Sequence, residues 1–289
     1  MPVLLHESVA GLALADGQVV LDGTVGAAGH AAAFAAAIAP SGVLIAIDRD
    51  REILTHAQAR MAAAPVRVLF FHRPFSELAA CLEEAGHPRV DRMFLDLGVS
   101  SYQLDTSERG FSFMRDAPLD LRMDRSRGHS AAAFLARCSE DELYRVLREL
   151  GEEPFAGRIA RSLVAAREHG PIERTTELAD LVARAVPAFR RRGRLHPATQ
   201  TFMALRMAVN QELEQLDAAL AASLRCLKPG GRLGVISFHS LEDRRVKEHM
   251  RAHMDPLTRK PVQAADAEVA RNPRARSARL RIATLKVGA

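Results

Sequence analysis

Apolar runs that end on an acidic residue recur along the first hundred residues of the chain. The clearest of these runs close with Asp22, Asp48 and Asp96. Helix-like segments, Ala31–Ile38 and Arg51–Ala64, separate the runs. Strands that alternate with helices predict a parallel, doubly wound sheet covered on both faces. Because the ligands of such sheets bind beyond the carboxyl ends of the strands, we expect the three acids to converge on one cleft.

A glycine-rich turn follows the first predicted strand. Its glycines recur at every third position in the segment Asp22-Gly23-Thr24-Val25-Gly26-Ala27-Ala28-Gly29-His30. Glycine lets a ligand approach the main chain, and the N–H groups at a helix start face that ligand. The spacing differs from the usual dinucleotide fingerprint, but Asp48, about twenty residues further on, is placed to bind a ribose diol. The pattern favours an adenosine-containing ligand and leaves open both NAD and a buried strand with a capping aspartate.

The alternation of strands and helices stops near residue 97. Residues 98–128 form a long predicted loop whose apolar side chains either make a lid or fix the loop to a core: Phe111, Phe113, Met114, Leu121 and Met123. Helical patterns run from 130 to 187, and a long helix or helix pair then reaches Cys226. The sheet resumes after the predicted turn 228–231, with the strand Arg232–Ser237, the helix Ser240–His253 and final strands within 278–287. The helical block is therefore expected to form a separate lobe.

Composition restricts the functional class. The 289 residues are 48% hydrophobic, as in ordinary globular proteins. No run approaches the roughly 18 apolar residues of a membrane span, and the first residues do not resemble a signal peptide. The cysteines, Cys81, Cys138 and Cys226, stand singly and provide neither a zinc motif nor a disulfide framework. We expect a cytoplasmic protein that uses no metal and no membrane.

The net charge of +5 is distributed unevenly. One basic cluster consists of Arg190, Arg191, Arg192 and Arg194. A second cluster, with no acid between its first residue and the end of the chain, consists of Arg271, Arg274, Arg276, Arg279, Arg281 and Lys286. Arginine-rich patches bind phosphate backbones. The alternative is a solvated surface and a frayed tail.

Five longer strings are far more specific than the glycine turn. In chain order they are Leu95-Asp96-Leu97-Gly98-Val99-Ser100-Ser101, Glu108-Arg109-Gly110-Phe111-Ser112-Phe113-Met114-Arg115-Asp116, His196-Pro197-Ala198-Thr199, Ser237-Phe238-His239-Ser240-Leu241-Glu242-Asp243-Arg244 and Asn272-Pro273-Arg274-Ala275-Arg276-Ser277. Through them the chain resembles the MraW/RsmH family from about Leu5 to Ile282. That family methylates the exocyclic N4 of a cytidine in bacterial 16S rRNA, near the decoding centre of the small ribosomal subunit. The resemblance implies an α/β fold of the class I, Rossmann-like, S-adenosylmethionine-dependent methyltransferases, interrupted by an all-helical inserted domain.

The resemblance also implies a domain division and a cofactor site. Residues 1–105 and 206–289 would form the methyltransferase domain, and residues 106–205 the inserted helical substrate-recognition domain. The family's contacts with S-adenosylmethionine fall on Ala28, Gly29, His30, Asp48, Phe75, Asp96 and Gln103. Ala28 replaces a glycine of the usual family loop, so a positive φ there would be disfavoured. Tyr102 stands where proline is common. Both changes leave the chemical groups in place but put the cofactor affinity in question.

Asp96 is the predicted catalytic residue. The cytosine amine is a poor nucleophile, because its lone pair is delocalised into the ring. Methyl transfer from a sulfonium therefore needs in-line approach and an acceptor that holds an N4–H, and Asp96 or the carbonyls after it are placed to do this. Cofactor binding or turn capping without catalysis is the alternative. The predicted substrate-binding residues are Ser237, His239, Ser240, Arg190, Arg191, Arg192, Arg274 and Arg276.

Three functions are consistent with these residues and motifs. The first is methylation of cytosine N4 in 16S rRNA, with the small ribosomal subunit as partner. The second is methylation of DNA or of a small metabolite, with the helical lobe as a lid, and the third is a non-catalytic RNA-binding assembly factor. The basic clusters favour a nucleic acid over a metabolite, and Asp48 and Asp96 argue against an inactive enzyme. The oligomeric state, including a homodimer, stays open.

Overall fold

The computed structural model describes residues 2–191 and 196–286, apart from the side chain of Ser101. The chain divides into two compact units: a sheet unit of residues 1–98 and 213–289, and a helical unit of residues 99–212. The predicted boundaries, 105/106 and 205/206, both fall inside the helical unit. The second would cut a continuous helix, Thr199–Asn210. The Asn210 side chain at the end of that helix donates to the Leu121 carbonyl (2.7 Å), which fixes it within the helical unit.

The strands described in the sheet unit form one seven-stranded sheet. They are β1 (Val19–Asp22), β2 (Val43–Asp48), β3 (Arg67–His72), β4 (Val90–Asp96), β5 (Leu227–Ser237), β6 (Met254–Pro256) and β7 (Arg279–Leu285). Their order is β3-β2-β1-β4-β5-β7-β6. Strands β1 to β5 are parallel, whereas β7 runs antiparallel to both β5 and β6. The order reverses beside β1, which lies between β2 and β4, and such switch points are where doubly wound sheets bind ligands.

Alternate residues of the central strands enter two different cores. Leu21, Ile45 and Leu95 belong to one buried hydrophobic cluster, whereas Val20 and Phe94 belong to another. Successive strand side chains point to opposite faces, so each face of the sheet has its own core. This confirms the predicted α/β class with a sheet covered on both sides.

Helices are numbered along the whole chain. Those that cover the sheet are α1 (Leu5–Leu12), α2 (Gly29–Ala37), α3 (Arg51–Arg60), α4 (Leu78–Glu84), α12 (Glu212–Cys226), α13 (Ser240–His253) and α14 (Asp266–Arg271). Helix α3 begins after Asp50, whose side chain accepts the N–H groups of Glu52 and Ile53. Short 3₁₀ turns span Phe75–Glu77 and Pro273–Ser277.

The helical unit has a core of its own. Its helices are α5 (Ser101–Asp105), α6 (Ala131–Arg137), α7 (Glu140–Arg145), α8 (Ala156–Arg167), α9 (Thr175–Ala185), α10 (Ala188–Arg191) and α11 (Thr199–Asn210). A 3₁₀ turn spans Ser107–Arg109, and a π-helical turn, Val146–Leu150, extends α7. Leu121 is buried in this core, Phe111 and Phe113 pack against it, and Met123 is 6% exposed whereas Met114 is 83% exposed. Most apolar side chains of the 98–128 segment therefore fix that segment to a core.

Two strand predictions need correction. The sequence Lys228-Pro229-Gly230-Gly231 lies inside β5 rather than in a turn before it. A register shift between Val90 and Arg92 of β4 accommodates this segment, and the Lys228 ammonium binds the Asp91 carboxylate (2.8 Å). The strand β6 is too short to show a recognisable apolar pattern, so it is not predicted from the sequence.

Among the described residues, no helix is long and apolar enough to cross a membrane, and no group of His, Cys, Asp or Glu is arranged to hold a metal ion. The three cysteines are buried thiols.

Candidate active site

The loop after β1 is fixed between the two neighbouring strands. The Gly23 N–H donates to the Phe94 carbonyl of β4 (2.9 Å), and the Val25 N–H donates to the Ile47 carbonyl of β2 (2.9 Å). A Cβ on Gly23 would lie 2.5 Å from Leu95 Cδ2. A larger residue would require the Leu95 side chain to shift, so glycine suits the close approach of this loop to β4.

Ala28 adopts the left-handed conformation that the sequence analysis described as disfavoured. Its φ and ψ are 59° and 34°, and it is the N-cap of α2. A left-handed residue with a Cβ costs roughly 1–2 kcal/mol. The loop therefore keeps this geometry without the glycine that the family usually has. No side chain caps the first turn of α2, so its N–H groups suit an anionic ligand group.

Asp48, at the end of β2, organises the glycine loop. Its Oδ2 accepts the Gly26 N–H and its Oδ1 accepts the Asp50 N–H, both at 2.8 Å. Burial raises its pKa to about 6, although these hydrogen bonds oppose the rise. Each carboxylate oxygen has a second lone pair. Asp48 can therefore support the loop and still accept hydrogen bonds from ribose hydroxyls.

Two further carboxyl groups lie at the ends of β1 and β4. Asp22 Oδ1 accepts the Thr24 N–H (3.1 Å), and the Asp96 N–H donates to Thr24 Oγ1 (2.6 Å). Asp22 Oδ2 and Asp96 Oδ1 are buried without a hydrogen-bond partner in the described structure. Burial raises the pKa of Asp22 to about 7. Burial, followed by the charges of Asp22 and Glu242, raises the pKa of Asp96 to about 8.

His30 faces this acidic pair as a neutral imidazole. Its Nε2 lies 2.9 Å from the Val3 carbonyl and donates to it, and burial lowers its pKa to about 4. Its Nδ1, 3.6 Å from Asp96 Oδ2, then carries a lone pair, so this contact is not an ion pair. The ring also packs against Phe94, with 4.7 Å between centroids. His30 is thus fixed in one tautomer beside the Asp96 carboxyl group.

These residues fit S-adenosylmethionine. Asp22 and Asp96 offer partnerless acidic oxygens that suit the cationic sulfonium and ammonium groups, since buried carboxylates require compensating charge or donors. The start of α2 suits the carboxylate of the cofactor, and Asp48 suits the ribose hydroxyls. Phe75 lies beside the loop, because its Cβ is 3.4 Å from the place that a Cβ of Gly23 would take. Gly29 begins α2, and its missing Cβ leaves room for Pro2.

Gln103 belongs to the helical unit. Its Oε1 accepts the Ser100 N–H (2.9 Å), and its own N–H donates to Ser100 Oγ (3.2 Å), which makes a capping box at the start of α5. Tyr102, the second departure from the family pattern, lies in the same helix. Gln103 is 4% exposed. Its predicted contact with the cofactor stays a prediction.

The segment after β5 is held by Glu242. The buried Glu242 accepts the Phe238 N–H through Oε2 (2.9 Å), and its Oε1 lies 3.1 Å from His239 Nε2. His239 is the N-cap of α13, and its Nδ1 accepts the Glu242 N–H (3.4 Å). Ser237 is buried at the end of β5, and Ser240 begins α13. His239 thus has a structural role, whatever it contributes to substrate binding.

The basic residues near 190 differ in their surroundings. Arg190 donates to Gln200 Oε1 (2.6 Å) and lies 3.9 Å from the buried carboxylate of Glu153. Arg191 is exposed at the end of α10. Arg192 and Arg194 lie outside the described residues. Arg190 therefore has internal partners, and Arg191 presents its charge to solvent.

The second basic cluster divides in the same way. Arg274 and Arg276 are exposed on the 3₁₀ turn after α14. Arg281 and Arg279 instead bind Asp243 of α13, at 2.7 and 3.3 Å. Arg279 and Arg281 are therefore already bound within the fold, whereas Arg276 presents its charge to solvent.

Thr24 and Glu242 belong to the site but are absent from the predicted site residues. Glu242 occupies the third position of α13 and accepts the Phe238 N–H just before the N-cap; because His239 rather than Ser or Thr is that N-cap, the usual Ser/Thr-x-x-Glu signal is absent from the sequence. Thr24 gives no local signal either, because its role depends on the distance between β1 and β4.

The sequence matches known proteins along nearly its whole length. The sequence model of the MraW methylase family matches residues 1–286. The ribosomal RNA small subunit methyltransferase H of Geobacter sp. (strain M21) is 49% identical over 300 residues, which cover 97% of this chain and 96% of that protein. The proteins of the same name from Citrifermentans bemidjiense and Nitratidesulfovibrio vulgaris are 48% and 49% identical, and the matches cover 97% and 98% of this chain and 96% and 84% of those proteins.

Proposed function

The chain belongs to the MraW methylase family, and we propose that it methylates the exocyclic N4 of a cytidine in the 16S rRNA of the small ribosomal subunit. It is an S-adenosylmethionine-dependent methyltransferase. One observation carries the assignment of the reactive site: Asp22 and Asp96 place buried, partnerless carboxyl oxygens at adjacent strand ends. Such groups are costly to bury and are typical of functional sites.

The role of Asp96 follows from the chemistry of the amine. S-adenosylmethionine supplies the methyl group when bound. As the N4–C bond forms, the amine must lose a proton, and Asp96 as a carboxylate accepts a hydrogen bond from N4–H. That bond keeps electron density on the nitrogen and orients it for in-line attack. Burial, followed by the charges of Asp22 and Glu242, raises the pKa of Asp96 to about 8, so that its carboxylate is basic enough to hold this proton.

The helical unit, residues 99–212 in the structure, is the part that we assign to substrate recognition. RNA bases in single-stranded regions are reached more easily than bases in a duplex. The exposed residues Arg191, Arg274 and Arg276 support contacts with the RNA backbone. Ser237, His239 and Ser240 follow the strand end next to Asp96 and are proposed to border the base. An rRNA substrate places the activity in the cytoplasm, where ribosomal subunits are assembled.

Nucleoside mass spectrometry of rRNA tests this function. In a strain without the gene, one N4-methylated cytidine of 16S rRNA should disappear, and the parental gene should restore it. Complementation with Asp96→Asn should fail although the protein accumulates normally. An unchanged methylation profile in the deletion strain would leave a different nucleic acid or a metabolite as the substrate. Restoration by Asp96→Asn would contradict the catalytic assignment.

A further inference from the structure

A cavity lined by cationic side chains lies at the outer edge of the sheet. It is a cavity of about 230 Å³ bordered by α13, the end of β6 and the residues that follow β6. We call it the edge cavity; its charged lining residues are Lys247, Arg251, Arg259 and Arg281. Pockets for drug-sized ligands begin at about 300 Å³. The edge cavity is therefore suited to a small group such as a phosphate.

Three positive charges in the edge cavity are not balanced by a carboxylate. Lys247 and Arg251 lie one turn apart on the same face of α13, and Arg259 follows β6. Among the residues that the structure describes, no acidic side chain lines the cavity. Arg281 differs from the other three, because Asp243 accepts from its Nε and Nη2 at 2.7 and 3.0 Å.

Asp243 does not neutralise the remaining cations. It is already bound by two guanidinium groups, since Arg279 Nη1 also lies 3.3 Å from its Oδ2. Like charges one helical turn apart repel each other. An anion between them would remove this repulsion, which is the physical reason to expect one here.

The rest of the lining favours a phosphate over a nucleoside. Met250 and Ile282, which are 2% and 5% exposed, give the cavity an apolar side against which the stems of Lys247 and Arg251 can lie. The part of the chain described by the structure places no aromatic side chain in the lining, so it offers no ring to stack on a base. The cavity offers charge and donors without the means to recognise a base.

We propose that the edge cavity binds a phosphate of the RNA backbone and forms a second RNA contact outside the reactive site. The proposal rests on the proposed function, because it takes the polymer to be rRNA. Arg281 pairs with Val235, two residues before the carboxyl end of β5. The cavity therefore lies about 7 Å along the strand from the level of the reactive site, a distance that a few nucleotides of RNA span.

The test compares two double variants of the full-length protein. Arg251→Ala/Arg259→Ala removes two charges from the edge cavity, and both residues are exposed. Arg67→Ala/Arg89→Ala is the matched control, because it removes two exposed charges from the same unit, one of them on β3 at the opposite edge of the sheet. Binding of a single-stranded 16S rRNA fragment is measured from 0.05 to about 0.3 M salt, the range in which phosphate contacts dominate.

The edge-cavity variant should lose about fivefold in affinity at 0.1 M salt for each phosphate contact removed, and its salt slope should flatten by about 0.7 per contact. The control should change less than twofold. Methyl transfer by the edge-cavity variant is measured over a range of small-subunit particle concentrations. The kcat should stay at the parental value, while the KM for the particles should rise. Arg251→Lys/Arg259→Lys should restore most of the affinity, because lysine keeps the charge.

Equal affinities and salt slopes for the two alanine variants would overturn the proposal. Inorganic phosphate, added at constant ionic strength, separates RNA from a free anion. If phosphate binds the parental protein but not the variant while the RNA affinities are equal, the cavity binds a free anion and the proposal is wrong. Because binding is measured without turnover, a parental protein that does not methylate rRNA would contradict the proposed function and leave the cavity test valid.

Discussion

Two aspartates of the helical unit and three of the sheet unit have opposite surroundings. In the helical unit, Asp116 is bound by Arg174 (2.6 Å), and the hydrogen bonds from Arg174 and Thr176 hold its pKa below the usual range. Burial raises the pKa of Asp120, but its bonds to Arg122 outweigh burial and lower it. In the sheet unit, burial raises the pKa values of three aspartates that end neighbouring strands, Asp22, Asp48 and Asp96.

This contrast separates structural from functional carboxylates by a physical criterion. A carboxylate that is paired with arginine stabilises the fold and has little left to offer a ligand. A buried carboxyl group without a cation destabilises the unliganded protein, and the cost is recovered when a cation or donor binds. Asp22 and Asp96 meet the second description, and Asp116 and Asp120 the first. The predictions below test whether this difference determines function.

The largest effect is expected for Asp96→Asn. The amide keeps the shape of the side chain but removes the charge and one acceptor, so the rate of methyl transfer should fall by about a hundredfold or more, as for other proton-handling groups. Cofactor affinity should change much less. Single-turnover transfer to small-subunit particles at saturating cofactor measures the rate.

Asp116→Asn is the matched control for this rate. It changes the same chemical group in the helical unit, where Arg174 and Thr176 satisfy it, and transfer should stay within about twofold, as expected for a surface substitution. If Asp96→Asn transfers at the parental rate once saturated with cofactor, Asp96 only binds the cofactor.

The next effect concerns Asp48→Ala. Because Asp48 supports the loop through Gly26 and is proposed to accept the ribose hydroxyls, its loss should weaken cofactor binding by about 2–4 kcal/mol, which is well over tenfold. Titration calorimetry with S-adenosylmethionine gives the affinity, and circular dichroism verifies the fold. Unchanged affinity in a folded variant would remove Asp48 from the cofactor site.

The pH dependence of stability should differ between the two kinds of carboxylate. The folded pKa of Asp96, about 8, lies above its unfolded value. Its contribution to stability is therefore present at low pH and is lost as the pH rises through 8. In Asp96→Asn this loss is absent, so between pH 5 and 8.5 the variant without cofactor should lose less stability than the parent, by on the order of 4 kcal/mol.

Calorimetric melting at pH 5 and pH 8.5 measures this difference. The pKa of Asp116 is lowered instead, so its contribution is lost only as the pH falls through the acidic range. Asp116→Asn should therefore keep the parental dependence between pH 5 and 8.5. Equal dependence in all three proteins would show that Asp96 is not the group that titrates there.

The sheet and its acidic strand ends were predictable because both depend on local patterns. The predicted runs that close with Asp22 and Asp96 end where β1 and β4 end, since a turn follows each apolar run. Helix α13 likewise matches its predicted range. By contrast, the residues 228–231 contain Pro and two glycines and were expected to form a turn, yet they extend β5. The residues on either side of them, Leu227 and Arg232, pair with Val90 and Arg92 of β4, and this long-range pairing leaves no local pattern.

The site was predictable in its residue types and less so in its electrostatics. Sequence reasoning brought Asp22, Asp48 and Asp96 to one edge of the sheet. It did not predict that Arg281 would be bound by Asp243, 38 residues away in sequence. A charge run shows which side chains are basic, but only the fold shows which of them already have partners. The same limit applies to Glu242, whose charge reaches Asp96 through space.

The smallest effect is expected for Ala28→Gly, and here two contributions oppose each other. Glycine would relieve the left-handed strain at φ 59°, which is worth roughly 1–2 kcal/mol. Removing the methyl group of a fully buried residue costs about 0.8 kcal/mol, and the greater freedom of glycine in the unfolded chain costs about 0.4–1 kcal/mol more. The net change in the free energy of unfolding should therefore stay within about 1 kcal/mol, or roughly 2–4 °C in the melting temperature.

The affinity of the Ala28→Gly variant for the cofactor should also stay within about fivefold of the parental value, the equivalent of 1 kcal/mol. Calorimetry measures both quantities. A gain in cofactor affinity of a hundredfold would show that Ala28 restricts the loop, and that its strain is larger in the cofactor-bound protein than in the free protein.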